Sequence, residues 1–165
     1  MELYKWTGNK KEAAEILSEM PDARLVALAD SEETVLLTES DSANQPEGFD
    51  AYHVLNAVGE LDAGYYAVFN NIPVTEDGRE LFESRFQNRA GMVEKEPGFA
   101  AIRVLRPIDS DTYIILTMWQ DEKSFTDWQQ SQAYGNAHAK RGTAEGIDKR
   151  PNIFPRPSFV KIYSK

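Results

Sequence analysis

Three side chains combine residue type and spacing in a way that suits chemistry: Asn70, Trp128 and His138. Trp128 and His138 are ten residues apart, which an unbroken helix would stretch to about 15 Å. Gly135 and Asn136 lie between them. Both are poor residues for a helix interior, so the helix is expected to break or re-aim there. A break lets an indole and an imidazole converge on one pocket. Asn70 stands in the run Val68-Phe69-Asn70-Asn71-Ile72-Pro73-Val74. Alternation along a strand puts its carboxamide on the same face as Val68, Ile72 and Val74, with Asn71 pointing the other way. A buried carboxamide left unpaired costs about 1–3 kcal/mol. Asn70 therefore needs a partner, either the backbone of a neighbouring loop or a bound molecule.

Each of the three also has a plainer role. Trp128 suits packing on the inner side of an amphipathic helix. A histidine in a helical segment is commonly a surface residue, although small neighbours at Ala137 and Ala139 would let a flat ring approach the backbone of His138 closely. His53 has no such neighbours and reads as structural. Trp119 reads as core or rim. Arg85 and Arg89 sit one turn apart near Glu80 and Glu83, the pattern of a solvated helix face.

The elements that must position these residues follow from periodicity. Residues 113–119 form an apolar, β-branched and aromatic run ending in Trp119, the pattern of a buried strand. Asp121, with Ser124 three on, is a helix N-cap, and Ser124 with Asp127 is the alternative. Phe125 and Trp128 then share one helix face. The asparagine strand runs over 65–74, and a helix over 77–96 follows, with Leu81, Phe82, Phe86, Met92 and Val93 inward and Pro97-Gly98 as its stop. Strands over 99–105 and 113–119 form a pair. A polar, proline-rich stretch over 140–157 precedes a last strand over 158–163. The order β-α-β-β-α-β is ferredoxin-like.

The first sixty residues read as a reduced echo of that order. Asn9 caps a helix over 10–20 whose apolar stripe is Ala13, Ile16, Leu17 and Met20. A short strand over 3–6 precedes it, a hairpin over 23–29 and 34–38 follows, and 41–48 reads as a linker. Residues 49–58 read as a strand. The expected architecture is α+β: an N-terminal α+β extension over 1–61 and a ferredoxin-like domain over 62–165, together suggesting a single-chain pseudo-dimer.

Composition removes several function classes. The chain has 165 residues and 18 Lys and Arg against 27 Asp and Glu, a net charge of −9. That balance argues against nucleic acid or an anionic membrane surface as partner. Without cysteine there is no disulfide, thiolate nucleophile or cysteine-ligated metal. No stretch has the length and apolarity of a membrane helix, and the amino terminus shows no signal-peptide pattern. The expectation is a soluble, cytoplasmic protein. Two histidines cannot build a histidine-rich metal site, and the phosphate-cradling glycine motif and the Gly-x-Ser-x-Gly elbow are missing.

The strand ending in Trp119, the Phe125-Thr126-Asp127-Trp128 segment, Ala137-His138 and the asparagine strand together resemble the IsdG-type haem-degrading monooxygenases of the antibiotic biosynthesis monooxygenase superfamily. The likeness covers roughly the last hundred residues, and the length of the chain suits a longer, two-part member of that group. The resemblance implies a ferredoxin-like fold of the dimeric α+β barrel type. It implies oxidative opening of haem, which serves as substrate and cofactor, using dioxygen and an external electron donor, a protein or a small reductant. His138 is then the axial ligand of the haem iron, Trp128 a wall that distorts the ring, and Asn70 the hydrogen-bonding group beside the reacting oxygen. Arg85 and Arg89 could meet the propionates. Members of the group are generally homodimers; here the extension takes the partner's place and a monomer is expected, with a homodimer as the alternative. The same superfamily leaves open a cofactor-free monooxygenase acting on an aromatic or quinol substrate, and a haem carrier that leaves the ring intact is the third reading.

Overall fold

The computed structural model describes residues 1–87, 93–131 and 153–165. Within them the chain runs β1 (Glu2–Gly8), α1 (Lys10–Glu19), β2 (Val26–Ala29), β3 (Thr34–Ser40), β4 (Asp50–Gly59), β5 (Tyr66–Pro73), α2 (Arg79–Gln87), β6 (Phe99–Pro107), β7 (Thr112–Trp119), α3 (Glu122–Gln129) and β8 (Phe159–Ser164). Among the described residues eight antiparallel strands close into one barrel in the order β1-β3-β2-β8-β5-β7-β6-β4. No helix among them is long and apolar enough to cross a membrane.

That order is two sheets joined edge to edge. The second part supplies β8-β5-β7-β6 and the first supplies β4-β1-β3-β2, so each sheet sets its fourth, first, third and second strands side by side. The pseudo-dimer is therefore built into one polypeptide. The echo is incomplete because the 41–49 segment, which carries no helix, stands where the second sheet has α3.

The two seams are unequal. β4 pairs with β6 from Tyr52↔Pro107 to Gly59↔Ala101, with a bulge between Val54 and Asn56. β2 meets β8 only at Ala29↔Ser164. Gly59 closes the long seam at φ +76, where a Cβ would come within 2.0 Å of the Ala100 carbonyl oxygen. A side chain is excluded there both by conformation and by space.

All eight strands turn apolar side chains inward, among them Leu3, Leu37, Tyr52, Phe69, Leu105 and Leu116. The outer face is covered in patches. α1 sits over Tyr4, Trp6 and Leu36, α3 over Val68 and Trp119, and α2 over Val74 and Tyr113. Two expectations change here. Leu17 of the expected stripe is 40% exposed. The strand expected over 23–29 is only Val26–Ala29, because the Ala23 amide bonds back to the Met20 carbonyl and the turn ending α1 takes up those residues.

The caps are local and as expected. Asn9 accepts from the Glu12 amide at 2.8 Å. The helix expected to begin near 77 opens with a single tight turn over Glu76–Gly78 before α2; positions 88–92, including Met92 and Arg89, lie outside the described residues. β6 continues past Leu105 to Pro107 because its pairing with β4 continues.

Candidate functional site

Strand β5 separates two environments. Ala67 and Phe69 face the barrel interior, whereas Tyr66 and Val68 face the cluster under α3 and Ile72 and Val74 the one under α2. Asn70 is in phase with the outward set and Asn71 with the inward one. In register, Asn70 lies between Ile115 of β7 and Val160 of β8, and Val68 lies between Thr117 and Ile162. These neighbours make an apolar floor that stays partly open, Val160 being 55% and Ile162 38% exposed. The two amides have different surroundings. Asn71 donates to the Phe69 carbonyl at 3.2 Å and the Phe159 carbonyl at 3.5 Å. The half-buried Asn70 carboxamide has no hydrogen-bond partner among the described residues.

Trp128 is brought over this face by α3. Asp121 is the cap, accepting from the Ser124 amide at 2.8 Å and the Ser124 hydroxyl at 2.7 Å. Those bonds, the hydroxyl's first, hold its carboxyl below the usual carboxylate range. The first turn of α3 seats directly on Gly98, where a Cβ would lie 2.1 Å from the Ser124 hydroxyl oxygen at φ +83. Phe125 is buried and Trp128 half-buried. The Trp128 ring lies 5.4 Å from that of Trp119, tilted 33°, and 6.1 Å from that of Phe125, tilted 42°. Trp119 is wholly core. Its indole donates to the Thr117 hydroxyl at 3.0 Å, and Phe99 stands edge-on to it at 5.9 Å. Aromatic pairs of this kind contribute about 0.5–1.5 kcal/mol each, so the Trp128 indole is held on more than one side.

The opposite flank is α2. Phe82 packs 4.7 Å from the Tyr113 ring and 4.8 Å from the Phe86 ring. Glu83 accepts from Arg106 through Nε at 2.9 Å and Nη2 at 2.6 Å, and from the Tyr113 hydroxyl. The Arg106 bonds are the main reason its carboxyl is held below the usual range, while burial raises the Tyr113 hydroxyl. Glu83 thus ties α2 to the sheet. Its partners come from β6 and β7, far away in sequence.

His138 lies outside the described residues, as do Gly135, Asn136 and the two flanking alanines; so does 140–152 of the expected loop. His53 is on β4, with Nδ1 3.3 Å from both carboxylate oxygens of Glu2. Sequence reasoning missed the floor contributed by Ile115, Val160 and Ile162. The signal was the alternation of β8, obscured because Phe159 on its inward face is as apolar as Val160 and Ile162 on its outward face.

The comparisons with known proteins agree with the ferredoxin-like α+β fold. The model of the antibiotic biosynthesis monooxygenase family matches residues 65–140. A heme oxygenase (mycobilin-producing) of Mycobacterium tuberculosis is 35% identical over 71 residues, 42% of this chain and 67% of that protein. The chain belongs to the antibiotic biosynthesis monooxygenase family. It is also similar to the signal transduction protein TRAP of Staphylococcus aureus, 26% identical over 120 residues, 73% of this chain and 72% of that one. Among solved structures, a major regulator of staphylococcal pathogenesis superposes with a TM-score of 0.83 at 22% identity, covering 99% and 98% of the two chains. The heme-degrading enzyme LmHde of Listeria monocytogenes superposes with a TM-score of 0.73 at 16% identity, covering 99% of each. The structural likenesses show the shared fold.

Proposed function

We propose that this protein degrades haem oxidatively, opening the porphyrin ring and releasing iron. The observation that carries the reading is Asn70: its carboxamide has no hydrogen-bond partner among the described residues and lies in register with the apolar Ile115 and Val160, two positions along β5 from Val68, whose cluster holds the Trp128 indole. The likeness to the mycobacterial haem oxygenase supports it.

The residues present fit a flat apolar ring with one polar locus. When bound, haem supplies the iron that activates dioxygen with electrons from an external reductant, and its own ring is what is oxidised. The sheet floor of Ile115, Val160 and Ile162 would hold the ring by contact. Trp128, backed by Trp119 and Phe125, would form a wall pressing on the ring; strain of this kind is worth about 1–5 kcal/mol. Asn70, whose amide is uncommitted among the described residues, would offer an N–H to the reacting oxygen. His138 would supply the imidazole that holds the iron.

The test adds hemin to the full-length protein, then ascorbate under air with catalase present to remove free peroxide. The expected result is loss of the Soret band, new visible absorption from an opened tetrapyrrole, and chelatable iron. Haem that binds and survives reductant and air would reject the enzymatic reading and leave a haem carrier. Failure to bind haem, with turnover of a quinol instead, would favour the cofactor-free alternative.

A further inference from the structure

The barrel interior changes character at one end. Leu3 of β1 belongs to the inward apolar set while Tyr4 and Trp6 face outward, so Lys5 turns inward. With Lys161 of β8 it lines a cleft of about 170 Å³ walled by the half-exposed Phe159, with Val35 and Phe69 buried at its base. The seam explains the access. β8 pairs with β5 throughout but touches β2 only at Ser164, so the rim beside Phe159 and Lys161 is not closed by a strand.

Lys5 is poorly compensated where it sits. Among the described residues its ammonium donates only to the Thr7 hydroxyl, at 3.5 Å, and no carboxylate lies within ion-pairing distance. Glu33, the one carboxylate on the cleft, accepts the Tyr163 hydroxyl. Asp50, the cross-strand neighbour of Lys5, is exposed to solvent. Burial lowers the Lys5 pKa, with Asp50 and Glu33 opposing it. A cation at the mouth of a partly apolar cleft gains from a charge-assisted hydrogen bond to an anion. An apolar floor with a few convergent polar groups is the usual make-up of a small-molecule site.

We propose that the cleft binds a small monocarboxylate with an apolar body, its carboxylate taken by Lys5 with Lys161 at the rim and its body against Phe159, above Val35 and Phe69. This site is on the inner side of β5, the haem face on the outer side. It stands or falls independently of the haem reading.

The probe is phenylacetate, titrated into the full-length protein and followed by amide NMR shifts, with phenylacetamide as its uncharged counterpart. Saturable shifts are expected at Val35, Phe69, Asn71 and Phe159. Loss of a charge-assisted hydrogen bond predicts at least about tenfold weaker binding for the amide, and for phenylacetate in Lys5→Met, with hemin binding unchanged. No saturable shifts, equal affinity for acid and amide, undiminished binding in Lys5→Met, or shifts confined to the Asn70 face would each overturn the proposal. The comparison of acid with amide uses the wild-type chain and decides the matter even where Lys5→Met does not fold.

Discussion

Asn70 and Asn71 are adjacent in sequence and face opposite sides of one wall, which makes them a matched pair of probes. Asn71 spends its amide on the Phe69 and Phe159 carbonyls, whereas Asn70 spends none among the described residues. Asn70→Ala is expected to bind hemin within a few-fold of wild type and to slow ring opening by about 10–100-fold, the loss of one hydrogen bond made chiefly during reaction. Asn71→Ala should degrade haem at the wild-type rate. Single-turnover decay of the Soret band measures both, and the reverse pattern would move the reaction to the inner face. At the iron, His138→Ala is expected to lose the imidazole-ligated spectrum while His53→Ala keeps it, since His53 already faces Glu2.

Two helices flank the site, and each is fastened differently. α3 holds Trp128 through rings, so Trp128→Ala should leave hemin bound but slow its opening more than its binding. Intact turnover in a folded variant would reduce Trp128 to packing. α2 is fastened by a carboxylate. Glu83→Gln removes the ionic acceptor for Arg106 and Tyr113 and is expected to cost about 1–3 kcal/mol in urea unfolding. The sign with pH follows from the lowered carboxyl. Its stabilisation is complete above the unfolded value near 4.5 and is lost as pH falls through the lower folded value. The acid limb of stability between those values should therefore flatten in Glu83→Gln, which unfolding at a series of pH values would measure.

At the scale of the molecule, the two sheets are locked by Arg103. Only 3% exposed, it donates to Glu39 through Nε at 2.7 Å and Nη2 at 3.2 Å. It also reaches the carbonyls of Val58, Ile102 and Gly59 at 3.1, 2.9 and 2.8 Å. Glu39→Ala leaves that buried cation without its anion and is expected to destabilise the fold by about 3–5 kcal/mol. A chain that closes its own barrel covers its own sheet faces, and light scattering should report a monomer near 18.7 kDa. Deleting residues 1–60 removes β4 from β6 and β2 from β8 and uncovers the inner faces of β5 to β8. Aggregation or a new dimer is the expected result, and a well-behaved monomeric truncation would overturn the account.

The sequence by itself determined what is local. Alternation set the phase of Asn70 and Asn71, because a one-residue slip would turn Val68 and Ile72 into the barrel and Phe69 out of it. Short-range hydrogen bonding set the caps at Asn9 and Asp121, and the order of elements announced the ferredoxin-like sheet. What only the tertiary structure decided is pairing at a distance. Leu17 belongs to a helical stripe, yet the curve of the first sheet under α1 reaches Ala13 and Ile16 and leaves Leu17 in solvent. Glu83 has arginines nearby on its own helix, yet its partners are 23 and 30 positions away. Val160 and Ile162 join the floor only because β8 lies beside β5. Arg103 meets Glu39 across 64 positions and a closed barrel. Periodicity reports which side of a strand a residue occupies; which strand stands opposite is set by closure of the whole sheet, and no window of sequence contains it.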